Sequence, residues 1–132
     1  MTSGPELTAV DPFDLPDWLG EQDVTWSSVA GLHSGPAVAG VLTGADRPDL
    51  ACDLLAVDSA YPAPVAGDDV RLACHQAWQH GEVHLVESGG RLTLAVPGSS
   101  FTADLALDAV GRLARAVGAA ADRYAVRLRI GG

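Results

Sequence analysis

Cys74, His75, His80 and His84 crowd into one short stretch, with Cys52 earlier in the chain, and thiols and imidazoles this close together raise the question of a metal site. A structural zinc site needs four converging ligands, usually supplied as tight Cys or His pairs. His80 and His84 have one such spacing, but Gly81 between them breaks a shared helical face. Cys74 falls on an apolar stripe and His75 on its flank, so core thiols and surface imidazoles are expected, with no metal and no cofactor. Ser99, Ser100 and Thr102 stand where a strand hands over to a helix, a place where free backbone N–H groups can hold an anion. The run Pro97-Gly98-Ser99-Ser100 nevertheless has neither a nucleophile elbow nor a phosphate-loop Lys, and Asp104 would compete with an anion. Helix capping is the expected role. Asp53 interrupts an apolar run, and burial there would perturb its titration. Asp58, Tyr61 and His33 could share a cleft with it beside the 58–67 loop, which is the alternative reading: a small enzyme or ligand-binding protein. No catalytic residue is assigned.

The elements that must position these residues follow from periodicity. Residues 1–23 mix Pro5, Pro12 and Pro16 with six carboxylates, a composition that resists regular structure and predicts an acidic arm. Phe13, Leu15, Trp18 and Leu19 are too apolar for a plain tail, so the stretch 14–20 is expected to form a helical turn that docks on the body or meets a partner. Residues 24–132 form the single folded domain. Strands are expected over 24–32, over 37–43 (weakened by Gly40) and over 50–57, whose apolar density suits a strand covered on both faces. These three make a meander. A Pro-containing connector, 58–67, leads to a helix capped by Asp68 or Asp69, whose stripe is Val70, Ala73, Cys74, Ala77 and Trp78, with Gly81 as its stop. Gly89-Gly90 can supply the positive φ pair of a tight hairpin, setting Leu85 opposite Leu94. Thr102 caps a second helix along Leu105, Ala109, Val110, Leu113 and Val117, ending at Gly118. Tyr124, Val126, Leu128 and Ile130 alternate with Arg127 and Arg129 as a closing strand with one wet, basic face. The expected fold is α+β, in the order β-β-β-α-β-β-α-β: an antiparallel sheet with two amphipathic helices packed on one side of it.

Composition sets the class of partner. A chain of 132 residues, 48% hydrophobic but 5% aromatic, suits one domain with a core of Leu, Val and Ala. Residues 1–69 hold twelve carboxylates against Arg47 alone, whereas residues 70–132 hold five against seven arginines. The net charge of −9 disfavours nucleic acid, which recruits basic surfaces that release counterions. No apolar run reaches the roughly 18 residues of a membrane helix, and the first residues lack the basic and apolar segments of a signal peptide. The expectation is a cytoplasmic protein with free thiols and no membrane partner.

The block AWQHGEVHLVESGGRLTLAVPGSSFTADLALDAVGRLARAVG follows three strands, and this succession over 24–118, with Trp78 just before the hairpin, resembles the domain of type III secretion chaperones. The resemblance implies a non-enzymatic protein that dimerises and binds extended segments of other proteins. An acidic arm in place of the family's first helix, and an added last strand, depart from that pattern. The resulting expectation is an adaptor or chaperone-like interaction module, homodimeric, that binds a protein partner through Trp18, Leu19, Arg127 and Arg129.

Overall fold

The computed structural model describes residues 7–28, 31–32, 36–58 and 65–128. One sheet carries the fold. Its strands are β1 (Thr8–Ala9), β2 (Val24–Ser28), β3 (Ala37–Val38), β4 (Val41–Gly44), β5 (Leu50–Ala56), β6 (His84–Ser88), β7 (Arg91–Val96) and β8 (Tyr124–Leu128). The helices are α1 (Trp18–Glu21), α2 (Asp68–Gln79) and α3 (Ala103–Ala116). Across the sheet the order is β1-β6-β7-β5-β4-β2-β8, with β3 pairing β5.

The α+β class holds, but the sheet is mixed rather than antiparallel. The meander β2-β4-β5 and the hairpin β6-β7 are antiparallel, whereas β5 pairs β7 in parallel and β2 pairs β8 in parallel. Parallel neighbours require a long crossover. The chain has two: α2 with its flanking loops carries it from β5 to the hairpin, and α3 carries it from β7 back to the far edge. Within the hairpin Leu85 faces Leu94, and Gly89 and Gly90 take φ of 60° and 79°, the left-handed pair a two-residue turn demands.

The helices also lie on opposite faces, correcting the expectation that both cover one side. Cys52, Leu54 and Ala56 of β5 pack with Leu92, Leu94 and Val96 of β7 against Ala106, Ala109, Val110 and Leu113 of α3. Their neighbours in sequence, Leu55 and Ala95, point the other way and pack with Val57 against Cys74 of α2. Successive strand residues face opposite sides, so the apolar density of β5 and β7 reflects cover on both. Burying Leu113 or Val110 fully contributes about 1.5–3 kcal/mol each. α3 starts at Thr102, whose hydroxyl accepts from the Leu105 N–H at 3.2 Å, and ends before Gly118 at φ 86°. α2 is capped by Gly67 with no side-chain acceptor; Asp68 and Asp69 sit in its first turn, favourable to the helix dipole, rather than at the cap.

The described part of the acidic arm is structured. It contributes β1, a 3-10 turn at Pro12–Asp14 and the short α1. Among the described residues no helix is long and apolar enough to cross a membrane.

Candidate functional site

Asp53 is half-buried on β5, and three groups converge on it. Arg91 of β7 grips its carboxylate with both Nε (2.9 Å) and Nη2 (2.8 Å), and the Gly40 N–H donates to it at 3.1 Å. Arg91 Nη2 also donates to the Gly40 carbonyl at 3.2 Å. The carboxylate thus takes the Gly40 N–H at the break between β3 and β4, which pair with β5 on either side of it. On the opposite face the Trp26 indole lies against Gly40, where a Cβ would come within 2.6 Å of the ring, and its Nε1 donates to the Cys52 carbonyl at 2.8 Å. Asp53 is a brace between strands. Hydrogen bonding to Asp53 raises the Arg91 guanidinium above its ordinary value.

Asp58 lies just past the end of β5 and belongs to a separate cluster. It accepts from Arg71 Nε at 3.0 Å and from the Gly98 N–H at 3.2 Å, and lies 2.7 Å from His75 Nε2. Arg71 and His75 sit one helical turn apart on α2, and Gly98 follows β7, so one carboxylate ties the ends of β5 and β7 to α2. Burial pushes its titration up, but hydrogen bonds from Arg71, His75 and Gly98 outweigh that and hold it below the ordinary 3.8. A carboxyl whose folded value is depressed contributes stability that is complete above about pH 5 and is lost as pH falls through that folded value. Urea denaturation of wild type and Asp58→Asn should therefore show a gap that is constant at neutral pH and closes under acid; a gap independent of pH would show that the ion pairing is not its source. Tyr61 and His33, expected beside these carboxylates, lie outside the described residues. Asp53 and Asp58 do not share a site, since each is saturated by its own partners.

The thiols are buried and free. Burial, reinforced by the charge of Asp58, pushes Cys74 up to about 12, and burial with the charge of Asp53 pushes Cys52 higher still. Both are neutral thiols at physiological pH, poor as nucleophiles or ligands. Among the described residues no three His, Cys, Asp or Glu side chains converge on a point that could hold a metal. Ser99 and Ser100 are exposed in the loop before α3.

His80 and His84 do share a cleft, of about 580 Å³, between the end of α2, β6, the arm and α3. Arg112 and Arg115 line it from α3. Arg112 lies over the Trp78 ring, 3.5 Å from its centroid, and donates to the carbonyls of Trp78 (2.9 Å) and Glu82 (3.0 Å). Arg115 donates to Gly81 at 3.0 Å. The two arginines close the carbonyl end of α2, where a helix favours cations. Burial lowers the His84 imidazole, which favours its neutral form. A second hollow of about 470 Å³ lies beyond Pro12, between Phe13, Leu15 and α3, with Arg115 on its wall as well.

The residues expected to meet a partner divide in three. Trp18 and Leu19, expected at a partner surface, are buried in the core, where the short α1 docks. Arg127 is exposed on β8, an edge strand. Arg129 lies outside the described residues. Sequence reasoning missed the cleft behind the arm, because Arg112 and Arg115 close it by reaching carbonyls 30 to 34 residues away in the chain. No family model, curated protein or solved structure matches this chain.

Proposed function

We propose that this domain is a non-catalytic interaction module, of adaptor or chaperone-like kind, that holds a partner polypeptide against β8. The observation that carries the reading is the position of β8: among the described residues it ends the strand order, pairs only with β2, and presents a five-residue edge with neither Pro nor bulge. Such an edge is a template for strand addition. Arg127 and Ala125 are exposed on the face that α2 leaves bare, so a net acidic chain carries a basic spot beside its open edge. That charge favours an acidic segment. The internal carboxylates support the same reading, since Asp53 and Asp58 are consumed in tying strands and helix together. The chaperone-like succession of elements points the same way.

Self-association is a second form of this reading, because the same edge can pair with its copy across a twofold axis. Arg127→Glu tests both. Capture from native extract should retain at least one protein on the wild type that the variant loses, or sedimentation should show a species of twice 13.5 kDa that the variant abolishes. Identical captured sets and identical sedimentation for the two chains would sink the proposal.

A further inference from the structure

The opposite edge of the sheet is already occupied, by the chain's own arm. Thr8 and Ala9 pair with Glu87 and Val86 of β6, and the Val10 N–H donates to the Leu85 carbonyl at 2.8 Å. The grip is mostly main chain. The side chains of Thr8 and Ala9 are exposed, and only Leu7, Val10 and Leu15 pack against the core, each half-buried. Phe13, the largest side chain of this stretch, is 93% exposed. The fit is incomplete in volume too, since hollows of about 580 and 470 Å³ remain on either side of Pro12. It is incomplete in charge as well: Arg115 lines both hollows, yet among the described residues Asp11, Asp14 and Asp17 make no ion pair with it or with any other cation. α1, by contrast, is locked in place directly after this stretch.

We propose that the β6 edge with its two hollows is a second strand-addition groove, whose trans occupant is an extended acidic segment of a partner protein carrying a bulky apolar side chain, and that residues 7–15 are its built-in competitor. The arm itself shows the chemistry that fits: an extended backbone against Leu85–Glu87, and an apolar side chain over each sheet face, Leu7 on one and Val10 on the other. A segment that fills the hollow and pairs with Arg115 makes every contact the arm makes and adds two it leaves unmade. The arm has the advantage of tethering, which gives it a high local concentration. A partner must therefore bind with an apparent affinity reduced by the fraction of time the groove is covered.

This proposal does not depend on β8. The probe is a dye-labelled synthetic peptide of residues 7–17, titrated with the full-length chain and followed by fluorescence anisotropy. Val10→Pro removes the N–H that donates to Leu85 and should release the arm, tightening the peptide's binding about tenfold. Equal affinity for wild type and Val10→Pro, or binding to neither, overturns the proposal. In the wild-type chain, which needs no substitution, unlabelled peptide should speed amide exchange at Val10 while Val86 and Glu87 stay protected, and unchanged exchange at Val10 also overturns it. Arg127→Glu should leave the peptide's affinity unaltered. If that substitution alone changes binding, the peptide sits on β8, and this groove is refuted while the β8 reading survives.

Discussion

Trp26→Ala is expected to destabilise the domain by about 3–5 kcal/mol. That is a large share of the roughly 5–15 kcal/mol that holds a typical domain together. Trp26 is fully buried, sits at the middle of β2 opposite Leu42 and beside Val126 of β8, and lies across the backbone at Gly40. Removing the indole opens a cavity and leaves the Cys52 carbonyl without the donor it has at 2.8 Å. Trp26→Phe should cost less, because much of the volume stays and the lost hydrogen bond is worth about 1 kcal/mol. Gly40→Ala approaches the same contact from the other side. Its new methyl would stand 2.6 Å from the ring, so it should cost about 1–3 kcal/mol in the wild type and close to nothing in the Trp26→Ala background. Guanidinium denaturation of the four chains reads both numbers. Additive effects would show that the glycine is not there to admit the indole.

The same contact marks the limit of what the sequence discloses. Gly40 is legible as a weak point in a strand, and Trp26 as an inward residue, but their meeting depends on strand pairing, which no local pattern encodes. Features set within a few residues read correctly: the Gly89-Gly90 turn, the Thr102 cap and the stripe along α3. Partner choice across the sheet did not. Whether β7 joins β5 or lies beyond it is decided by where α2 drops the hairpin, and the clue was indirect: β5 and β7 are apolar on both faces, as central parallel strands are. β1 left no signal, since two exposed residues held by backbone hydrogen bonds need no side-chain pattern. Asp53 was visible as an anomaly while its partner, Arg91, 38 residues away, was not. For Asp58 the signal existed and went unused: Arg71 and His75 stand four apart on the helix that follows it, the spacing that aims two side chains at one point.

Leu19→Ala carries the second largest expected effect, about 2–5 kcal/mol, and it separates two roles for the apolar residues of the arm. Were Leu19 an anchor for a partner, its truncation would leave the isolated domain's stability within about 0.5 kcal/mol, as surface changes do. The surroundings of α1 argue for the large value. Leu19 is fully buried, and its carbonyl accepts from the Tyr124 hydroxyl at 2.6 Å. Arg123 donates to the Glu21 carbonyl at 2.9 Å. Glycines admit the helix on both sides: a Cβ at Gly44 would come within 2.6 Å of the Trp18 ring, and one at Gly20 within 2.6 Å of the Val117 carbonyl oxygen. A single helical turn is not stable alone, so α1 exists because β8, β4 and the end of α3 hold it. The arm therefore has two parts with opposite behaviour, a fixed plug at 18–21 and a loosely seated strand ahead of it. Thermal melting of Leu19→Ala and Val10→Pro side by side should show a drop several times larger for the first. Comparable drops would mean that residues 7–15 are as firmly built in as the plug, and that the β6 edge is not free to exchange its occupant.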